Sequence, residues 1–183
     1  MMRSGRVALF LILGAASCVG CSGIRVTTDF DPSANFAAFR SYAWLPDTPQ
    51  QPGDPRLHNA LVDGRVRSAV ERALAARGFQ KVPTENADFL VTYHLGLETR
   101  MDVQTIHRSH GYSSRTWHRR HSTQTIVTEY EMGTLLLDVL DPTRGLVWRG
   151  SANARVRERS DPAQRESRIN DAVQKILDRF PPT

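Results

Sequence analysis

Four histidines between residues 107 and 121 have a spacing that could hold a transition-metal ion. They form two His-x-x-His pairs separated by seven residues: His107, His110, His118 and His121. Neutral imidazole binds Zn²⁺, Cu²⁺ or Ni²⁺ well, and two such pairs in one loop could close on a single ion. No Cys or acidic residue lies between the outer histidines, and nearby arginines would repel a cation. A metal- or small-ligand-binding protein that uses this segment is therefore the alternative hypothesis.

Arginines of the same segment form a basic patch, which is the better supported candidate. They are interleaved with Tyr112 and Trp117 and comprise Arg100, Arg108, Arg115, Arg119 and Arg120. Basic side chains near aromatic rings bind anionic lipid headgroups and other envelope phosphates, each contributing about 1 kcal/mol at most. A solvated tip that contacts nothing in particular is the competing interpretation. We expect the patch to contact anionic envelope lipids.

The first twenty residues have the organisation of an export signal. Arg3 and Arg6 precede an apolar run over residues 7–13, and small residues then lead to Cys21. The run is far shorter than the ~20 residues that span a bilayer, so it predicts a cleaved signal. The small residue before Cys21 resembles the lipobox of bacterial lipoproteins. That resemblance implies cleavage before Cys21, a diacylglycerol on its thiol and an acyl chain such as palmitate on its amine.

The residues around this Cys indicate which Cys is lipidated and which bacterial membrane holds the protein. Cys18, preceded by Ala16 and Ser17, is the alternative lipidation site, and a secretory signal with incidental cysteines is a further alternative. In the lipoproteins that the motif resembles, an Asp directly after the Cys commonly marks inner-membrane retention. Ser22 occupies that position here. We therefore expect a lipid-anchored protein of the bacterial outer membrane whose domain faces the periplasm.

Composition narrows the class of the mature protein. Cleavage before Cys21 would remove 20 of the 183 residues, which leaves the length of one domain. Loss of two signal arginines lowers the formal net charge from +5 to +3, so the mature chain is only mildly basic. This charge and an exported location argue against nucleic-acid binding. With Cys18 removed and Cys21 alkylated, no disulfide can form, so the fold depends on its core alone.

Periodicity predicts the elements that position these segments. Alternating residues predict strands at 24–28, 41–45, 88–97, 125–130, 134–140 and 146–156. A bulge or bend is expected at Met132-Gly133, and a tight turn is expected over 141–145. Residues 100–123 have no period and predict a long polar loop or a frayed hairpin tip.

Two apolar stripes at helical period predict two helices. Asp54 caps the first, which ends at Gly78, and Asp161 caps the second, which ends before Pro181. Two helices that are apolar on one side need one sheet face to cover. We therefore expect residues 21–183 to form a single α+β domain. It would be a two-layer sandwich whose mostly antiparallel sheet is covered on one face by both helices.

No familiar catalytic constellation is present. The serines lack a nucleophile-elbow or Ser-x-x-Lys context, and no phosphate-binding, dinucleotide or metalloprotease motif occurs. Tyr42, Trp44 and Trp148 are interpreted as core and sheet-face aromatics. Asp31 and Asp141 precede prolines, so turn chemistry explains them. We expect a protein that is not an enzyme and needs no cofactor.

Several segments resemble one family in the same order along the chain. They are Asp29-Phe30-Asp31-Pro32, residues 39–45, Ala87-Asp88-Phe89, residues 133–141, Leu146-Val147-Trp148-Arg149-Gly150, and Phe180-Pro181-Pro182. This pattern resembles the bacterial lipoproteins catalogued as domain of unknown function 4136. The segment at 100–123, which tends to be rich in Gly and Tyr in such proteins, is rich in His and Arg here. The resemblance implies an exported, usually lipidated domain with no assigned activity, which we interpret as a binding or structural module.

Overall fold

The computed structural model describes residues 23–46, 54–109, 121–156 and 161–182. Within these ranges the chain forms six strands and two α-helices. The strands are β1 (Arg25–Phe30), β2 (Ser41–Trp44), β3 (Gln80–Lys81), β4 (Phe89–Ser109), β5 (His121–Asp141) and β6 (Gly145–Arg155). The helices are α1 (Ala60–Ala76) and α2 (Pro162–Leu177), and short 3₁₀ turns occur at Phe36–Ala38 and Thr84–Asn86.

The six strands form one sheet in the order β1-β6-β5-β4-β2-β3. The pairings of β2 with β3 and with β4 are parallel, and the other pairings are antiparallel. A parallel pair needs a crossover connection, and α1 supplies it between β2 and β3. The two helices pack on each other and on the sheet. The predicted α+β class, with a mostly antiparallel sheet and two helices, is confirmed.

The core lies between the helices and one sheet face. The sheet contributes buried side chains from its three long strands, namely Phe89, Val91, Leu135, Leu137, Val139 and Trp148. They pack against the buried residues of the helices, which include Val66, Val70, Leu74, Val173 and Ile176. Phe180, which follows α2, brings its ring within 5.1–6.1 Å of four other aromatic rings. Each such side chain stabilises the fold by about 1.5–3 kcal/mol when fully buried.

Helix α1 begins five residues later than the sequence predicts. Its N-cap is Asn59, whose side-chain oxygen accepts hydrogen bonds of 3.1 Å from two amides of the first turn. Asp54, the predicted cap, instead accepts from the amide of Arg56 and binds its guanidinium at 2.7 Å. Asn caps as well as Asp does, so the engagement of Asp54 by Arg56 is compatible with a later start. The predicted stop is confirmed, because Gly78 has φ +87°.

Of the two alternatives for residues 100–123, the long polar loop is wrong over its two flanks, which form the two strands of a hairpin. Residues 100–109 belong to β4 and residues 121–123 to β5, and the pairing continues to Ser109 opposite His121. Backbone hydrogen bonds between two paired strands form whatever the side chains are. Strands with both faces in water therefore need no alternation of apolar and polar residues. Beyond the end of β6, residues 99–109 and 121–131 therefore form a two-stranded ribbon. Residues 110–120 lie outside the described part of the chain.

The bulge predicted at Met132-Gly133 is also wrong. Strand β5 runs regularly through both residues. The irregularity in the pairing of β5 with β6 lies further along, where Val139 pairs with Trp148 and Leu140 pairs with Leu146. Val147 is thereby left without a partner in the ladder. The extra residue turns Leu146 away from the face of Trp148. Leu146 is consequently 48% exposed, although the alternation places it in the core, whereas Trp148 is 1% exposed.

The predicted turn and second helix cap are confirmed. Asp141 accepts hydrogen bonds from the hydroxyl of Thr143 and from the amides of Thr143 and Arg144, and these, the hydroxyl first, lower the pKa of its carboxyl. Gly145 closes the turn with φ +84°. Asp161 accepts a 2.8 Å hydrogen bond from the third amide of α2. These are the positions at which side-chain acceptors compete best for free backbone amides.

Candidate functional site: a groove between the helices and the sheet

A groove of about 820 Å³ lies between the helix layer and the sheet. Its lining comes from the segment that leads into α1, the first half of α1, residues 165–172 of α2, residues 95–97 of β4, residues 131–135 of β5 and the end of β6. The volume falls within the range of about 300–1,000 Å³ that is usual for small-molecule sites. The groove is therefore the candidate site that the fold offers.

Small residues keep this space open. Gly133 and Ala154 of the sheet and Ala172 of α2 line the groove, where larger side chains would fill it. The neighbouring part of the same interface is tightly packed instead. A Cβ atom added to Gly150 would collide with the side chains of Ile176 and Trp148. The helix layer is thus closely packed at one end and open at the other.

The walls of the groove are mostly aliphatic. The α1 side contributes Leu57, Leu61, Val62 and Val66, and the other side and the floor contribute Leu95, Leu97, Leu135, Val156 and Ile169. Leu61 is 71% exposed, although it belongs to the apolar stripe of α1. A lining of this kind favours an apolar occupant, because it has few hydrogen-bonding groups to orient a polar one.

Two of the arginines that line the groove are engaged within the protein. The guanidinium of Arg56 lies 2.7 Å from the carboxylate of Asp54 and 2.9 Å from that of Glu131. Hydrogen bonding to Arg56 is the main cause that holds the pKa of Asp54 below its usual value. The guanidinium of Arg155 lies over the ring of Tyr130, 3.9 Å from its centroid. These contacts satisfy both side chains without a ligand.

Three further arginines line the groove, and no comparable partner of theirs lies in the described part of the chain. They are Arg65 on α1 and Arg165 and Arg168 on α2. Within the described ranges, none of the three forms an ion pair or a side-chain hydrogen bond. Arg65 and Arg168 are half-buried. Arg165 and Arg168 are three residues apart on one helix face, so their like charges repel each other.

The start of the described chain also reaches the groove. Ile24 is one of the lining residues, and it lies three positions after Cys21. Cys21 and Cys18 lie outside the described residues, so lipidation of either stays a prediction. Among the helices that the structure describes, none has the length and apolar character needed to cross a membrane.

The predicted His/Arg site is only partly covered by the structure. His107 and Arg108 lie on β4 and His121 lies on β5, on paired strands near the end of the ribbon. Arg100 also lies on β4, where its guanidinium forms a 3.0 Å ion pair with Glu98. The remaining residues, His110, His118, Arg115, Arg119 and Arg120, lie outside the described ranges. In the described part, no cluster of three metal-ligating side chains occurs, and the metal and patch hypotheses stay predictions.

Other polar clusters have structural explanations. Glu71 accepts hydrogen bonds from the indole of Trp44 and the ammonium of Lys81, at 2.9 and 2.6 Å. Asp138 is buried on the sheet and binds Arg149 through two 2.7 Å hydrogen bonds. Both acidic groups are therefore neutralised by neighbours that fix the strands and α1 in place. Burial raises the pKa of Tyr42 to about 12, which agrees with its predicted place in the core.

Sequence reasoning missed the groove because its residues are far apart in the chain. Arg65 and Arg168 belong to different helices, and Ile24 belongs to neither. Each of the three is an ordinary residue in its own segment. The sequence carries only a weak signal of the groove, which consists of arginines beside the apolar stripes of both helices and of small residues in β6. Only the fold brings these features to one site.

The chain matches one protein family over nearly its whole length. Residues 26–182 match the family model described as a domain of unknown function, DUF4136. The chain therefore belongs to this family, as the sequence resemblance predicts. No curated protein matches the chain.

The chain is similar to two solved structures to different degrees. A crystal structure of a PDZ domain protein from Parabacteroides distasonis is similar with a TM-score of 0.53 and 14% identity, over 87% of this chain and 36% of that chain. This chain thus spans about a third of the length of that protein. The PelC dodecamer from Paraburkholderia phytofirmans has a TM-score of 0.47 and 11% identity, over 84% of this chain and 94% of that chain.

Proposed function

We propose that this member of the DUF4136 family is a lipid-anchored protein of the bacterial outer membrane whose domain faces the periplasm and binds the acyl chain of an amphiphile. It acts as a non-enzymatic binding module. The observation that carries the proposal is the open, mostly aliphatic groove of about 820 Å³ between the helices and the sheet. An acyl chain matches such walls, because each buried CH₂ group contributes about 0.8 kcal/mol without needing a polar partner.

The position of the N-terminus supports a lipid as the occupant. Ile24 lines the groove, and the three residue steps from Cys21 to Ile24 can span at most about 11 Å. If Cys21 carries the lipid anchor, the groove lies close to the membrane surface. An amphiphile of the membrane could then enter the groove over a short distance.

The affinity of this groove for simple alcohols should rise with chain length. The sheet begins at Arg25 and the core lies between Phe39 and Phe180, so residues 21–183 contain the whole described fold. This unlipidated domain should bind octanol, decanol and dodecanol with an affinity that increases about fourfold per added CH₂ group, as about 0.8 kcal/mol implies. Displacement of a fluorescent apolar probe measures the series.

A groove-filling variant separates this site from general surface binding. Ala154→Trp places a large ring in the groove and should lower the dodecanol affinity at least about tenfold, because it occupies the space of the chain. Ala75→Trp adds the same ring to an exposed position of α1 outside the groove and should leave the affinity unchanged. An affinity independent of chain length, or equal in both variants, would overturn the proposal.

The arginine-rich segment is the proposed second contact with the membrane. Arg108, Arg115, Arg119 and Arg120 fall at or beyond the described end of the ribbon, and the nearby histidines gain charge near pH 6. The unlipidated domain should bind anionic vesicles, less strongly as salt rises and more strongly at pH 6 than at pH 8. Co-sedimentation measures this binding. Salt-insensitive binding would reject the patch, and stoichiometric, His-dependent metal uptake would favour the alternative metal site.

A further inference from the structure

We infer that the groove selects single-chain amphiphiles with an oxyanion headgroup, a carboxylate or a phosphate, which Arg65 and Arg168 bind at its edge. This inference rests on the proposed function, since it assigns the headgroup of the same ligand. Its basis is the charge of the groove lining, which the apolar walls do not explain.

The charges that line the groove do not balance. Five arginines line it, and Glu131 is the one acidic residue among the described lining residues. Glu131 is already bound to Arg56, which also binds Asp54. Arg155 is placed over Tyr130. Among the described residues, Arg65, Arg165 and Arg168 have neither an acidic nor an aromatic partner.

Desolvation makes this arrangement unfavourable in the empty protein. Arg65 and Arg168 are half-buried, and a charged group that loses water without gaining a partner is destabilised. Asp171, one turn beyond Arg168 on α2, forms no ion pair with it in the described structure. Repulsion from Arg165 adds to the effect. A bound anion would offset the desolvation of the arginines and reduce the repulsion between them. A guanidinium binds carboxylates and phosphates through two parallel hydrogen bonds.

Each cation is placed next to an apolar wall of the groove. Arg65 lies one helical turn after Leu61 and directly before Val66, and all three line the groove. On α2, Arg168 directly precedes Ile169, which also lines it. Two helices therefore each present an aliphatic side chain and an arginine to the same space. The acyl chain of an amphiphile fits the aliphatic side chains, and its anionic headgroup fits the arginines.

Matched ligands of one chain length test the inference. Dodecanoate and dodecyl phosphate are compared with dodecanol, each below its micellar concentration, by displacement of the same apolar probe from the 21–183 domain. We expect at least one of the two anions to bind at least about tenfold more tightly than the alcohol, because charge-assisted hydrogen bonds add to an unchanged chain contribution. The anion that binds more tightly identifies the headgroup.

Variants assign the preference to the two arginines. Arg65→Gln with Arg168→Gln should lower the anion affinity to that of dodecanol, and a circular dichroism spectrum like that of the wild type shows that the variant is folded. Arg65→Lys should retain part of the preference, because the charge remains. Arg25→Gln, which removes the same charge from an exposed residue outside the groove, should change nothing.

The outcomes separate the inference from the proposed function. Equal affinity of the wild type for dodecanol and both anions, with all three weakened by Ala154→Trp, would overturn the headgroup assignment and leave the acyl-chain site intact. An anion preference that survives in the double Gln variant would also overturn it. Failure of the wild type to bind any of the three ligands would reject the proposed function itself.

Discussion

Replacement of Trp148 by Ala should destabilise the domain by about 3–5 kcal/mol, the range for removal of a large buried aromatic side chain. Trp148 is 1% exposed, and its ring lies 5.1 Å from that of Phe180 and against Gly150. Because the side chain joins β6 to the end of α2, its loss would open a cavity between the two layers. Domains of this size are stable by only about 5–15 kcal/mol, so a large part of that stability would be lost.

Thermal unfolding of the 21–183 domain measures this effect. A fall in Tm of roughly 6–20 °C is expected, from about 2–4 °C per kcal/mol for a domain of this length. Trp148→Phe is the matched control: it keeps a ring, and it removes an indole N–H that no described residue accepts. It should therefore be much milder than the Ala variant. A Tm within about 2 °C of wild type for Trp148→Ala would contradict the buried position of this side chain.

Replacement of Cys21 by Ser should release the protein from the membrane or leave its signal uncleaved. A single acyl chain gives only marginal membrane binding, whereas the three chains of a mature lipoprotein hold a protein stably. The wild type should therefore partition into detergent and sediment with outer membranes, since Ser22 is not the Asp that marks retention. Fractionation, detergent partitioning and the mass of the N-terminal peptide measure the change.

Cys18→Ser serves as the control for the anchor. If Cys21 is the lipidated residue, this variant stays processed and bound, because Cys18 leaves with the signal. Release by Cys18→Ser, with Cys21→Ser still bound, would assign the lipid to Cys18 instead. Recovery of the wild type with the inner membrane would contradict the proposed location.

The predicted elements are most accurate where a segment buries one side. Strand β4 over residues 89–97 and helix α2 both show their period, because a sheet face or helix stripe in the core must be apolar. The ribbon is the opposite case: with water on both faces, its residues carry no period, and the sequence predicts a loop or a frayed hairpin tip there. The late start of α1 has a different origin, since Asp54 and Asn59 are equally suitable caps and only the contact of Asp54 with Arg56 distinguishes them.

Within the candidate site, the sequence predicts parts but not their assembly. Leu61 and Ile169 are predicted as members of apolar helix stripes, yet both line the groove, where Leu61 is exposed and Ile169 packs against the edge of the core. Their position depends on how the helices pack over Gly133 and Ala154, which is a property of the tertiary fold. The His/Arg segment shows the reverse situation: its chemistry is evident in the sequence, and its central part lies outside the described structure.

The small side chains that line the groove also set a limit on how stable the empty domain can be. Protein interiors are normally packed as densely as organic crystals, so a space of about 820 Å³ beside the core represents dispersion contacts that the empty protein lacks. Larger residues at Ala154 or Ala172 would supply some of those contacts, and selection for rigidity alone would favour them. A bound acyl chain would supply them instead and would raise the melting temperature as its concentration increases. In this respect the ligand would complete the hydrophobic core, and the thermal stability of the protein in the cell would depend on the fraction of molecules that hold a ligand.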